Sequence, residues 1–181
     1  MLPHVDALYR TALRLTRGKE EAEDLLQDTF LKAYRFFDRY RPGTNIRAWL
    51  FRILTNSYIN KYRRAAAAPP TTPLEYGPDS FLYNASGQRP GLAEASAEEE
   101  VLSRFAEEDV KRAVEELPPQ FRLAVLLADV EGFSYKEIAE MTGTKIGTVM
   151  SRISRGRKLL QRALWGFAQA RGYASKGDRH G

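Results

Sequence analysis

Two stretches of the sequence carry many cations and no carboxylates, a pattern that suits binding to a polyanion. In the first, between residues 41 and 64, arginine and lysine can neutralise phosphates, and arginine and asparagine can pair with base edges. Acid–base catalysis needs a positioned acid or base, and this stretch holds no carboxylate, so binding is predicted rather than bond-making chemistry. The side chains that would share one helical face are Arg52, Asn56, Asn60 and Arg63, with Arg47 near the start.

Aromatic residues around this first stretch suit an unstacked base. Such a base needs a pocket, hydrogen bonds to its edge and flat apolar contacts. Trp49, Phe51 and Tyr58 are equally suited to an ordinary core, so both interpretations stay open for them. Asn56 and Asn60 favour binding, because asparagine is a poor residue inside a helix unless it has another role.

The second stretch, residues 144 to 165, belongs to a pattern typical of a helix-turn-helix. Ser134 and Glu137 have the spacing of a capping box, which satisfies free backbone donors where a helix begins. Gly143 tolerates the positive dihedral of a tight turn, and the small side chain of Ala139 lets two helices cross closely. The second helix would be held to the core by Ile146, Val149 and Ile153.

The outward face of this second helix has residue types that contact DNA grooves. Arginine pairs with guanine, serine and threonine reach base edges or phosphates, and lysine neutralises backbone charge. A solvated basic helix would have a similar composition, so the prediction depends on the coincidence of cap, turn glycine and a face without acids. That face would carry Lys145, Thr148, Ser151, Arg152, Arg155 and Lys158.

The composition argues against several classes of protein. The 181 residues carry a net charge of +5, include no cysteine, and have two histidines, His4 and His180, near opposite ends. Disulfides, thiolate metal sites and histidine catalysis are therefore not expected, and no cofactor or metal is predicted. Since no apolar run is long enough to span a bilayer and no signal-peptide pattern begins the chain, we expect a cytoplasmic protein.

Helical periodicity before and after a central segment predicts an all-α fold of two small domains. Turn residues between Arg39 and Asn45 predict a loop, and the next helix would bury the stripe that ends at Tyr58. The central segment is rich in proline, glycine and acids and is predicted to be a flexible linker. Its apolar residues could dock on a partner or stay unused, and these are Leu74, Tyr76, Phe81, Leu82 and Tyr83.

Several motifs in a fixed order resemble those of the extracytoplasmic-function (ECF) sigma factors of the sigma-70 family. Residues 22–34 and 43–53 resemble the family's region two, and residues 117–122, 132–140 and 147–157 resemble region four. The resemblance implies a region two helical bundle in residues 1–66, a linker in 67–105, a region four helix-turn-helix in 106–166 and a tail in 167–181. It also implies a transcription initiation factor that directs RNA polymerase to stress-response promoters and is not an enzyme.

The resemblance assigns the two basic faces to promoter DNA. The first half would recognise and melt the minus-ten element and capture a flipped base, and the second would bind the minus-thirty-five element as duplex. The residues implied for the minus-ten element are Asn45, Arg47, Trp49, Arg52, Asn56, Asn60, Arg63 and Arg64. Those implied for the minus-thirty-five element are Lys145, Thr148, Ser151, Arg152, Ser154, Arg155 and Lys158.

The resemblance implies that a third surface, acidic and apolar, binds the clamp coiled coil of core RNA polymerase. It also implies the flap of the polymerase as a second contact. From the residues alone this surface is equally an ordinary helix start, because acids favour the positive end of the helix dipole. The residues concerned are Asp24, Leu25, Gln27, Asp28, Phe30 and Leu31. Residues 129–133 and 146–152 look closest to the actinobacterial oxidative and heat-stress branch, which implies a zinc-containing, redox-sensing anti-sigma factor as a further partner.

Two other classes of protein are open alternatives. A conventional helix-turn-helix regulator would bind duplex DNA tightly without polymerase. An enzyme that acts on nucleic acid would also capture a base, but it needs a positioned acid, base or metal cluster.

Overall fold

The computed structural model describes residues 2–67, 97–170 and 172, which are helices and connecting turns without a strand. The prediction of an all-α fold is confirmed. The first half contains α1 (Val5–Thr16), α2 (Lys19–Arg35) and α3 (Ile46–Ala67). The second half contains α4 (Ala97–Glu116), α5 (Pro119–Val125), α6 (Tyr135–Thr142) and α7 (Ile146–Ala170).

The first half is a three-helix unit in which α2 packs against both α1 and α3. Arg17 closes α1 in the left-handed region, with a φ of 65°, and Gly18 is extended at the start of α2. The core of this unit includes Leu8, Leu15, Leu25, Leu50, Phe51 and Leu54. Phe51 is therefore a core residue, and Leu25, implied to contact polymerase, is 1% exposed and cannot reach a partner while α2 stays packed.

The second half is built around the crossing of α5 and α7. A Cβ on Gly156 would lie 2.6 Å from Val125 Cγ2, so only glycine allows this close approach. α5 begins at Pro119, where a missing backbone N–H costs nothing, and a π-helical turn, Leu126–Val130, follows it.

The predicted helix-turn-helix is present between α6 and α7. The Ser134 side chain accepts from the Glu137 N–H at 3.3 Å, and Glu137 Oε2 accepts from the Ser134 N–H at 2.8 Å. Gly143 has a φ of 63°, as its turn position predicts. Val149 and Ile153 are each only 1% exposed. Ile146 is 50% exposed, because the first residue of α7 lies beyond the packed surface.

The two halves pack against each other through α3 with α6 and through α1 with α4 and α5. Their buried apolar residues form one continuous cluster. Arg122, 3% exposed, donates to the carbonyl of Leu15 at 2.8 Å and to that of Leu117 at 2.7 Å. It thereby joins the last turn of α1 to the end of α4, and burial lowers the pKa of its guanidinium.

The element bounds differ from the predicted domain limits at two places. α4 begins at Ala97, inside the range 67–105 assigned to the linker, and its first turn holds the good helix formers alanine and glutamate. α7 continues to Ala170, past the predicted limit at 166. The rest of the predicted linker and its five apolar residues lie outside the described residues.

Within the described ranges, no helix has both the length and the apolar character needed to cross a membrane. The same residues contain no cluster of histidine and carboxylate side chains that could hold a metal ion.

Candidate promoter-DNA and polymerase interfaces

A cleft of about 460 Å³ lies between α2 and α3 in the first half. It brings together four residues predicted for the minus-ten element, and these are Trp49, Arg52, Asn56 and Asn60. The arginine and both asparagines are exposed, so their polar groups are free to meet a ligand in the cleft. The remaining lining residues are Lys32, Phe36, Arg39, Ile53 and Ser57.

Three aromatic rings stand beside this cleft. The centroid of Trp49 lies 5.3 Å from that of Tyr40 and 6.4 Å from that of Phe37, and Phe37 and Tyr40 stack at 5.9 Å. Trp49 is partly buried against the core and also lines the cleft. Stacking on such rings is how proteins hold unpaired bases.

The loop before α3 is held by its own polar side chains. Tyr40 donates to the carbonyl of Thr44 at 2.7 Å, and Thr44 Oγ1 donates to the carbonyl of Arg41 at 2.8 Å. Asn45 Oδ1 accepts from the N–H of Ala48 at 3.2 Å, which caps the start of α3. Asn45, predicted to contact DNA, thus has a structural role as well.

Lys32 connects the cleft to the acidic face of α2. Its Nζ donates to Asp28 Oδ2 at 2.6 Å and to Ser57 Oγ at 2.9 Å. Burial would raise the pKa of Asp28, but hydrogen bonds with Lys32 and Ser57 and the charge of Lys32 outweigh it, so this pKa is lowered. Sequence reasoning missed Lys32, Phe36 and Arg39, and their signal would have been a basic and aromatic run just before the turn.

Four residues predicted for the minus-ten element do not line the cleft, and Asn45, which caps α3, is one of them. Arg63 and Arg64 are exposed towards the end of α3 and do not line it. Arg47 faces the second half and makes an ion pair of 2.6 Å with Glu131. Glu131 was not among the predicted site residues, and its partner Arg47 lies 84 positions earlier in the sequence.

The surface predicted to bind polymerase divides into exposed and packed residues. Asp24, Gln27 and Leu31 are exposed, and Leu31 is 64% exposed although it is apolar. Tyr34, one turn further on, is 82% exposed and extends the same apolar surface. Asp28 is half-buried beside Lys32, and Phe30 is partly buried against the core.

The outward face of α7 has the predicted character. Lys145, Ser151, Ser154, Arg155 and Lys158 are exposed, and Thr148 and Arg152 are half-buried. Burial of Val149 and Ile153 fixes which side of the helix this is. The face is therefore a basic, hydroxyl-bearing surface on the second helix of a helix-turn-helix, as groove recognition requires.

Arg157 lies beside this face but is engaged by Asp129. Its Nε and Nη2 donate to the two carboxylate oxygens at 3.0 and 2.5 Å, and this raises the pKa of Arg157. The pair joins α7 to the π-helical turn.

Comparisons with known proteins match both halves. The family Sigma-70 region 2 matches residues 2–68, and Sigma-70, region 4 matches residues 107–160. The ECF RNA polymerase sigma factor EcfG of Rhodopseudomonas palustris is 31% identical over 165 residues, which cover 91% of this chain and 83% of that protein. The chain belongs to the ECF RNA polymerase sigma factor family.

Other relatives of this sigma factor match a similar share of this chain. SigM of Mycobacterium tuberculosis is 35% identical over 161 residues, covering 89% of this chain and 73% of that protein. SigE of Mycolicibacterium smegmatis is 38% identical over 158 residues, covering 87% of this chain but 57% of that longer protein. A regulator that binds duplex DNA without polymerase is not favoured by these matches, and sigma factors are regulators without catalysis.

Two solved structures share the architecture. The sigma factor RpoE of Bartonella quintana, solved with the anti-sigma factor NepR, has a TM-score of 0.64 and 30% identity, covering 91% of this chain and 93% of that one. CnrH, solved with the cytosolic domain of CnrY, has a TM-score of 0.58 and 25% identity, covering 91% of this chain and 84% of that one.

Proposed function

We propose that this sigma factor recruits core RNA polymerase to stress-response promoters in the cytoplasm and starts promoter melting with the cleft between α2 and α3. The observation that carries the proposal is the cleft itself. It combines a stacking ring, Trp49, with the guanidinium of Arg52 and the amides of Asn56 and Asn60. A flipped base needs this combination of a flat contact and hydrogen bonds to its edge.

The division of labour follows from which surface each group occupies. The α7 face offers cations and hydroxyls on one rigid helix, which suits duplex DNA at the minus-thirty-five element. The exposed Leu31, Tyr34 and Asp24 of α2 form an apolar and acidic patch that suits the clamp coiled coil of polymerase. The three surfaces consist of different residues, as is needed for one molecule to hold polymerase and promoter together.

An anti-sigma factor is proposed as a further partner, because the similar sigma factor RpoE was solved with such a protein. The chain has no cysteine, so any thiol-based redox or zinc chemistry of the pair would reside in the partner. This would be the zinc-containing, redox-sensing kind that the sequence resemblance implies.

Binding of holoenzyme to a fork-junction promoter fragment, with a single-stranded minus-ten segment, tests the role of the cleft. Asn56→Ala is expected to weaken this binding by about 1–3 kcal/mol, while the affinity of the variant sigma factor for core polymerase is unchanged. Gln120→Ala is the matched control, because it removes an exposed amide from α5, away from the cleft. Equal behaviour of the two variants on the fork would contradict base capture by the cleft.

A further inference from the structure

The carboxylate of Glu131 is buried between the two halves, where its side chain is 8% exposed. Oε2 accepts from Arg47 Nη2 at 2.6 Å, and Oε1 accepts from Thr11 Oγ1 at 2.8 Å. The backbone carbonyl of Glu131 also accepts from Arg47 Nη2, at 2.9 Å. Both donors belong to the first half, so a residue of the second half fills an anion site made by the first.

Two phenylalanine rings enclose the guanidinium of Arg47. It lies 5.0 Å from the centroid of Phe51 in α3 and 4.5 Å from that of Phe133 in the second half. The two rings meet edge to face at 5.1 Å. The rings shield part of the ion pair from water, which strengthens it, while the Arg47 side chain stays 29% exposed. In this arrangement Arg47 is occupied within the chain and is not available to DNA.

The backbone around Glu131 is shaped to present it. The Glu131 N–H donates to the carbonyl of Leu126, which closes the π-helical turn, and the Phe133 N–H donates to the carbonyl of Leu127. Gly132 between them has a φ of 70°, which a side chain would strain. Glu131 and Phe133 therefore enter the first half together, as one rigid corner.

We propose that Glu131 is an internal substitute for a DNA phosphate, and that it latches the two halves closed. An arginine fork and a threonine hydroxyl bind a phosphate with the same donors that they offer a carboxylate. When the halves separate, Thr11 and Arg47 are released to bind one backbone phosphate of promoter DNA. The DNA part of this inference rests on the proposed function, whereas the latch itself does not.

An ion pair at this place is better suited to a switch than to stability alone. Replacement of buried ion pairs by apolar side chains is often neutral or stabilising, so a pair is a weak source of stability. The donors that hold this carboxylate also fit another partner of the same charge. A polyanion such as DNA supplies that charge at high local density.

The latch is tested by energy transfer between dyes on the two halves. Because the chain has no cysteine, Glu20→Cys and Gln161→Cys introduce two unique labelling sites at exposed positions. Glu131→Gln is expected to shift the ratio of open to closed chains by about tenfold, since it removes a charge-assisted bond. Glu140→Gln is the matched control, because it makes the same charge change at an exposed position of α6. Unchanged transfer in a Glu131→Gln protein that melts normally would overturn the latch.

The phosphate site is tested by fluorescence anisotropy with a short fork-junction DNA and the full chain without polymerase. Glu131→Gln is expected to bind several-fold more tightly than Glu140→Gln, and adding Thr11→Val is expected to remove part of that gain. If energy transfer shows that the Glu131→Gln chain is open but its affinity for DNA does not rise, the proposed phosphate site is wrong. Polymerase-dependent transcription by the unmodified chain is measured separately, so its failure would count against the proposed function and leave the latch result standing.

Discussion

Two arginines of α3 differ in whether they are exposed, and the difference depends on the residues that surround each of them. Arg52 is exposed at the cleft, whereas Arg47, little more than one turn earlier, lies between two phenylalanine rings and pairs with Glu131. The residue type alone predicted DNA binding for both. The difference arises from a partner far away in sequence, and no local pattern could have revealed it.

Arg155 allows a direct test of groove recognition by α7. Arg155→Ala is expected to weaken recognition of the minus-thirty-five element by about 1–3 kcal/mol, because an exposed guanidinium on this face pairs with base edges or phosphates. Holoenzyme binding to duplex promoter fragments with and without that element measures the loss.

Arg162→Ala supplies the control for Arg155, because it removes the same exposed group two turns further along α7. Both variants lower the net charge equally. If they weakened binding equally on both fragments, Arg155 would contribute only general attraction to DNA.

At the scale of elements, the sequence was most informative where a capping motif or a turn glycine marks the beginning or the end of a helix. The capping box of Ser134 and Glu137 and the turn at Gly143 were predicted correctly, because each depends on residues within one turn. The exposure of Ile146 was not, since it depends on what packs nearby. The close crossing of α5 and α7 likewise needs both helices to be seen.

Gly156→Ala tests that crossing. The new methyl group would lie 2.6 Å from Val125 Cγ2 and near the Phe121 backbone, so we expect the free energy of unfolding to fall by about 1–3 kcal/mol. Chemical denaturation followed by circular dichroism measures the change.

Gly147→Ala is the matched control in the same helix, because a Cβ there meets nothing within 4 Å. It is expected to leave the stability unchanged or to raise it by less than about 1 kcal/mol. A Gly156→Ala protein as stable as this control would show that a methyl group fits between α5 and α7.

For the whole molecule, the sequence predicted two helical halves but not how they meet. Their interface depends on single residues, such as Arg122 and Glu131, whose partners lie more than eighty positions away. The candidate cleft was foreseen in its α3 residues, which share one helical face. Its α2 side was missed, because the interpretation of α2 rested on its acidic residues and not on Lys32 or on Phe36, which follows the helix.

Run-off transcription with core RNA polymerase over a library of promoter fragments tests the central claim most directly. With the chain added, we predict new sequence-dependent start sites that core polymerase alone does not produce. Folded chain that binds duplex DNA by itself, yet yields no new transcripts with polymerase, would contradict the account.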